Sequence, residues 1–261
     1  SFDASAASRQ PGVLGVVDCP PLQGSTGAVA VVASGWWRAQ QALSALQVQW
    51  DEGPLAGQRT ESLMAQLAQA LATDEGHVFW QRGEAAAVLA RSARTLDADY
   101  RAPWLAHTPM EPMNCTVEYR GDRAHVWAPT QVPEFARRAV AGALDLDEDA
   151  VTLEVTYLGG GFGRRLEVDF IALAAQIARA FPGRPVQTLW TREDDIRHDF
   201  YRPACVARAR AALDADGRIT AWVLVSAGQS IGAAYGPRAA GLPALGPDRT
   251  TVEGAFDLTY E

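Results

Sequence analysis

The sequence predicts an α+β fold, and two patterns carry that prediction. Two pairs of strand-like runs, 115–119 with 124–127 and 205–213 with 219–226, are each joined by a turn-forming tetrapeptide. Between the pairs, a β-branched run over 151–157 passes through a glycine-rich loop into an apolar helical pattern at 168–181. A further strand at 186–190 completes a β-loop-α-β unit. At 261 residues the chain can bury one large or two medium domains. Its 48% hydrophobic and 21% charged residues are those of an ordinary globular protein. A net charge of −8 argues against a nucleic-acid partner. No apolar run approaches the ~20 residues that cross a bilayer, so no direct membrane span is expected.

Taken in order, the first dozen residues are small and polar and carry little pattern. A strand is expected over 11–17, then a loop bearing Pro20, Pro21, Gly24 and Gly27. Residues 28–33 (AVAVVA) read as a buried strand. A helix follows over about 34–48, with Ser34 as its N-cap and Trp36 and Trp37 packed into the core. The next helix opens at Thr60 and places Leu63, Leu67, Ala70 and Leu71 on one face. A strand around 86–90 and an extended run over 95–100 lead to Pro103. Arg120-Gly121-Asp122-Arg123 is the turn of the first hairpin rather than an adhesion signal. A helix spans 133–144. The second hairpin turns at Asp214-Ala215-Asp216-Gly217, and 228–250, rich in Gly, Ala and Pro, reads as loop.

The most informative stretch is Gly159-Gly160-Gly161-Phe162-Gly163-Arg164-Arg165. Four glycines let a backbone turn sharply and approach a bulky ligand. The run lacks the Lys-Ser/Thr pair of a nucleotide-phosphate loop and the GxGxxG spacing of a dinucleotide site. Arg164 and Arg165, beside the glycines and before a helix, favour an anion role over solvated surface. His107 and Glu111 lie on a proline-broken segment without the helical face of a zinc hydrolase, which favours a structural role. Gln131 ends a strand at a corner where an amide can offer both donor and acceptor, with Thr130 at or beside a helix cap. Glu193, Asp194 and Asp195 follow Thr191 as a favourable first helical turn, a better reading than metal binding. Cys19, Cys115 and Cys205 are too far apart for a CxxC motif or iron–sulfur ligation within the chain.

In sequence order, the segments 106–114 (AHTPMEPMN), 127–131 (WAPTQ), 159–165 (GGGFGRR) and 191–195 (TREDD) resemble those of molybdenum hydroxylases. The chain is similar to the large, molybdopterin-binding subunit of the xanthine dehydrogenase and aldehyde oxidase family. The double arginine, TREDD and the following Phe200-Tyr201-Arg202-Pro203 bring it nearest to the isoquinoline 1-oxidoreductase β-subunit branch. The resemblance implies a partial α/β hammerhead-type domain over 1–95. A first molybdopterin-binding domain over 96–261, with mixed sheets and packed helices, would follow it.

It also implies a molybdenum cofactor, molybdopterin cytosine dinucleotide, held at Gln131, Gly160, Gly161, Phe162, Gly163 and Arg164, with no residue ligating the metal directly. The implied reaction is hydroxylation of an N-heteroaromatic or aldehyde carbon by a metal-bound hydroxide. Electrons would pass to a separate small 2Fe–2S subunit. Leu166 stands where purine-oxidising relatives carry a carboxylate, and Glu167 is one residue off, which disfavours xanthine as substrate. The family's glutamate base falls beyond residue 261, so no catalytic residue is assigned, and Glu111, Glu167 and Glu193 are not promoted to that role. Starting at Ser1, the chain reads as an excised piece with half a pocket, expected alone to be inactive and empty of cofactor. Relatives in this branch are often exported, which implies the periplasm over the cytoplasm. The alternatives to be weighed are a non-catalytic protein of the same fold and a nucleotide-binding α/β enzyme using Gly159–Gly163.

Overall fold

The computed structural model describes residues 1–22, 26–73 and 76–241, with Pro243 and Asp248. The strands are β1 (Phe2–Asp3), β2 (Val13–Cys19), β3 (Ala28–Ala33), β4 (Gln47–Val48), β5 (Thr95–Ala102), β6 (Asn114–Tyr119), β7 (Ala124–Ala128), β8 (Val151–Val155), β9 (Pro185–Leu189), β10 (Cys205–Leu213) and β11 (Ile219–Gly228). The α-helices are α1 (Ser5–Ser8), α2 (Trp36–Ser44), α3 (Thr60–Leu71), α4 (Ala85–Arg91), α5 (Pro133–Leu144), α6 (Asp169–Arg179), α7 (Arg192–Arg197) and α8 (Ile231–Tyr235). Helices and sheets are mixed as the α+β reading expects. They form two compact units, each assembled from two stretches of chain: Ser1–Gly53 with Ala106–Phe200, and Pro54–Leu105 with the described residues from Tyr201 onward. A single cut at residue 95 does not reproduce these units, because β5 finds its partner more than a hundred residues later, in β10.

The first unit holds a four-stranded sheet in the order β8-β7-β6-β9. β6 and β7 form the predicted antiparallel hairpin, turning at Gly121 with a left-handed φ of 91°. β8 lies parallel to β7, and β9 antiparallel to β6, so β7, β8 and β9 all run the same way. Alternation places Cys115 and Val117 of β6, and Ala124, Val126 and Ala128 of β7, in the core. Against them pack Ala136, Val140 and Leu144 of α5 and Phe170, Ile171, Ala174 and Ile177 of α6. Small alanines on both helices allow their close approach. The Cys19 and Cys115 thiols are buried in this core, and burial raises both; Cys19 is pushed up to about 11. Such thiols pack as small apolar groups.

The second unit is a three-stranded antiparallel sheet, β11-β10-β5, with α3 packed through Leu67 and Leu71 on Ala204 and Val206. Of the expected α3 face, Ala70 is exposed and Met64 takes part instead.

Several local expectations are corrected. Residues 86–90 are not a strand but lie within helix α4. Alanine favours a helix, and Leu89, flanked by Ala85 and Val88, seats on Ala212 and Ala221. Helix α2 is shorter than 34–48. Gly35 occupies the cap position without a side-chain bond, and Ser34 Oγ instead accepts from Arg38 Nη1 at 2.7 Å. The chain then turns into β4, which pairs with β1 in the stretch that carried no pattern. Trp36 and Trp37 are 46% and 66% exposed, so neither is core. Past Gly228 the chain is not all loop. Ser230 Oγ accepts from Ala233 N at 2.9 Å and caps α8, and a π-helical turn follows over Gly236–Ala240. The rest of the expected 228–250 loop, and Gly24 of the earlier one, lie largely outside the described residues.

Ile171 is fully buried between α6 and the sheet. Ile171→Ala is expected to cost roughly 2–5 kcal/mol, read as a lower urea midpoint at unchanged slope.

Candidate functional site

Because β7, β8 and β9 are parallel, their carboxyl ends lie along one edge of the sheet, and the antiparallel β6 begins there. Each motif leaves or enters the sheet at that edge. Gln131 follows β7, the glycine loop follows β8, Thr191 follows β9, and 106–113 leads into β6. Open sheets of this kind bind ligands outside the carboxyl ends of their parallel strands.

Beneath the edge lies a buried arginine pair. Arg165 is fully buried, and its Nε donates to the Gly160 carbonyl at 2.7 Å. Its Nη1 reaches the Pro129 carbonyl at 3.1 Å, and its Nη2 reaches both the carbonyl and Oε2 of Glu111 at 2.8 Å. One guanidinium therefore ties three motif segments together. Its own carbonyl accepts from Gln131 N at 3.0 Å and from Thr130 Oγ1 at 3.3 Å. Burial depresses the Arg165 pKa, opposed by Glu111 and Asp195, and a guanidinium remains charged through such a shift.

Arg164, equally buried, makes a two-pronged bond to Asp169 at 2.8 and 2.9 Å, and its Nε lies 3.2 Å from Asp199 Oδ1. Its guanidinium carbon sits 5.4–5.8 Å from the ring centroids of Phe170, Trp190 and Phe200. Burial works against its charge, but Asp169, Asp199 and Asp195 outweigh it and raise the pKa. The expected anion role of the two arginines is thus corrected: both guanidiniums are spent on protein groups. A local reading could not find this, because their partners Glu111, Pro129 and Asp199 lie 35 to 54 residues away.

Glu111 completes the bracket. Its Oε2 accepts from Gly159 N at 2.9 Å, its Oε1 accepts from Asn114 Nδ2 at 2.9 Å, and its own N–H donates to the Gly159 carbonyl at 3.0 Å. A methyl group at Gly159 would fall 2.4 Å from Glu111 Cβ, so only glycine fits there. The structural reading of Glu111 agrees with these contacts.

The loop above the bracket is held open. Gly160, Phe162 and Gly163 take left-handed φ angles of 96°, 56° and 99°. For Phe162, 67% exposed, that conformation stores ~1–3 kcal/mol. The carbonyls of Gly161 and Gly163 accept from Arg164 N at 2.9 Å and Leu166 N at 3.1 Å. By contrast, the N–H groups of Gly160, Gly161, Phe162 and Gly163 donate to no acceptor among the described residues. Successive unspent N–H groups of this kind are what an anion-binding nest uses. Beside them lies Gln131, whose Oε1 would sit 2.5 Å from a methyl at Gly161 and whose side-chain amide has no partner among the described residues. The expected residues Gln131, Gly160, Gly161, Phe162 and Gly163 therefore meet at one place, with Arg164 below as support. This set suits a bulky oxyanion-bearing group, because donors without side chains line the approach.

Thr191 caps α7 as expected. Its Oγ1 accepts from Asp194 N at 3.1 Å, and Asp194 Oδ2 accepts in return from Thr191 N at 3.4 Å. Asp195 is buried, and its Oδ2 pairs with Arg192 Nη1 at 2.7 Å. Arg192 Nη2 in turn holds the Met110 carbonyl at 3.0 Å.

Two tests follow from these contacts. Arg165→Met leaves the Gly160, Pro129 and Glu111 acceptors without their donor, with an expected cost on the order of 3 kcal/mol. Arg165→Lys should recover only a minor part, because an ammonium cannot reach all three segments. Denaturant titration of both variants measures it. Burial raises the Asp195 carboxyl above its ordinary value of 3.8, aided by Asp199 and opposed by Arg192 and Arg164. A raised carboxyl contributes stability below its ordinary value that is lost as pH climbs through the folded one. The melting temperature of Asp195→Asn relative to the unchanged protein should therefore rise as pH climbs above the ordinary carboxyl value of 3.8, read by thermal scans at increasing pH.

Comparison with known proteins agrees with this geometry. The profile of the molybdopterin cofactor-binding domain family matches residues 70–241. The isoquinoline 1-oxidoreductase subunit beta of Brevundimonas diminuta is 31% identical over 230 residues, 84% of this chain and 28% of that protein. The membrane-bound aldehyde dehydrogenase [pyrroloquinoline-quinone] of Gluconacetobacter polyoxogenes is 31% identical over 77% of this chain and 26% of its own length. Quinoline 2-oxidoreductase from Pseudomonas putida 86 shares the fold, with a TM-score of 0.60 and 23% identity over 87% of this chain and 33% of that one. The chain thus spans a third or less of the relatives it matches. It belongs to the molybdopterin cofactor-binding domain family.

Proposed function

We propose that this chain forms the first cofactor-binding part of a molybdenum hydroxylase large subunit, acting on an N-heteroaromatic or aldehyde carbon. The observation that carries the reading is the row of unspent N–H donors at Gly160–Gly163 beside the unpartnered amide of Gln131. When bound, the molybdenum cofactor supplies the two-electron oxidation and the oxygen transfer.

The chain's own residues bind and orient. Gly160 and Gly161 let the main chain come close, Phe162 and Gly163 donate through their backbones, and Gln131 donates or accepts from the corner. Phe162, mostly exposed, shapes the side from which a flat substrate would approach. Arg164 and Arg165 fix the loop from below. The nucleotide-binding alternative loses ground here, since neither guanidinium is left to meet a phosphate.

The finer assignments belong to the same proposal. They are the cytosine dinucleotide form, a small 2Fe–2S partner subunit that takes up the electrons, a hammerhead-type domain, a periplasmic location, and a glutamate base outside this chain. The similarity to an isoquinoline 1-oxidoreductase subunit supports a heteroaromatic substrate, and that to aldehyde oxidoreductase subunits supports an aldehyde.

Molybdenum and acid-released cytidine monophosphate, assayed in the full-length subunit coexpressed with its partner, test the reading. Both are expected in near-equal amounts, with neither in the short chain alone. A correctly assembled full-length complex carrying neither would leave the fold standing and remove the enzyme.

A further inference from the structure

We infer that His107 is a ligand-facing group at the glycine loop, its Nε2 accepting a hydrogen bond from an O–H or N–H donor of the small molecule held against Phe162 and Gly163. This rests on the proposed function only for the identity of that molecule.

The tautomer follows from Asp199. His107 Nδ1 lies 2.9 Å from Asp199 Oδ1 and 3.1 Å from Oδ2, and the His107 backbone N–H donates to the same carboxylate. An ionised carboxylate only accepts, so Nδ1 carries a proton, and Nε2 is the ring nitrogen left toward the loop, an acceptor in the singly protonated ring. Asp199 cannot swing away. Its side chain is 2% exposed, and Arg164 Nε lies 3.2 Å from it. The buried row Asp169, Arg164, Asp199, His107 thus runs from the start of α6 to the loop.

The position follows from Gly163. A methyl built there would sit 3.5 Å from His107 Nε2, so this ring nitrogen lies against Gly163 with no backbone or other side chain as near. Nε2 has no hydrogen-bond partner among the described residues, and the side chain is only 11% exposed. A polar atom so enclosed is costly to leave unpaired.

The chemistry is complementary to the loop. The main chain at Gly160–Gly163 offers four N–H donors to a ligand, while the carbonyls of Gly160, Gly161 and Gly163 are taken up by the protein. A ligand that also carries a hydroxyl or a ring N–H needs an acceptor at the same place. His107 supplies one beside Gly163, two residues on from the glycine that Gln131 covers.

Diethyl pyrocarbonate acylates unprotonated imidazole nitrogen and tests the inference directly. The full-length subunit in its assembled complex is treated as isolated, and again after dialysis against potassium thiocyanate has stripped its bound small molecules. Modification at His107 is read by mass spectrometry against His77. Stripping should speed the reaction at His107 at least tenfold and leave His77 unchanged; equal rates at His107 in the two samples would overturn the inference. The dialysate separates this question from the cofactor's identity. Protection of His107 by a molecule without molybdenum keeps the inference and overturns the proposed function. As a second arm, His107→Phe keeps a ring and removes the acceptor. It should lower retained small molecule at least fivefold in complex that still assembles, whereas full retention would overturn the inference.

Discussion

The organisation of the site depends on one buried guanidinium. Arg165 spends its donors on the Gly160 carbonyl, the Pro129 carbonyl and Glu111, which belong to three separate segments of chain. Without it the buried Pro129 carbonyl and the half-buried Gly160 carbonyl would each lose a donor, a cost comparable to a lost hydrogen bond for each. The charge itself is tolerable because Glu111 faces it. With the segments tied from below, the carbonyls of Gly159, Gly160, Gly161 and Gly163 accept from protein donors, and the N–H groups of residues 160–163 are left unspent among the described residues. Arg164 repeats the device one residue earlier, against Asp169 and within a cage of three aromatic rings. The double arginine is therefore a foundation for the site rather than its contact surface.

Sheet topology explains why such a foundation can work. Three parallel strands deliver their carboxyl ends to one edge, and the antiparallel β6 starts from the same edge. Four motifs far apart in the sequence become neighbours without any long loop. Helices α5 and α6 cover the buried alternation of the sheet and leave the edge to the glycine turn. The left-handed backbone at Phe162 is held by this frame. Its conformational cost is offset by the bracket of Arg165 and Glu111 beneath it.

Much of this was legible in the sequence. The hairpin at Gly121, helix α5, the strand-loop-helix unit around the glycines and the cap at Thr191 all follow from turn chemistry, periodicity and capping. The meeting of Gln131 with the glycine loop, by contrast, was implied only by the family resemblance. The failures have physical causes. Residues 86–90 are apolar over too short a run for periodicity to separate strand from helix, and the packing of Leu89 decided the matter. Trp36 and Trp37 were assigned to the core by size, yet their helix presents them outward. The arginines' distant partners, Glu111, Pro129 and Asp199, are supplied by tertiary contacts that no local pattern shows. The link between His107 and Asp199 spans 92 residues and has no local signature.

The central claim is that the loop's N–H groups are kept unspent for a bound cofactor. Amide hydrogen exchange at Gly160–Gly163, followed in the full-length subunit with and without its cofactor, tests it most directly. Exchange should be fast in the empty subunit and slow at least tenfold on occupancy, while core amides such as Val126 stay unchanged. If these amides are already protected in the empty subunit, or stay fast in the loaded one, the loop does not hold the cofactor in this way.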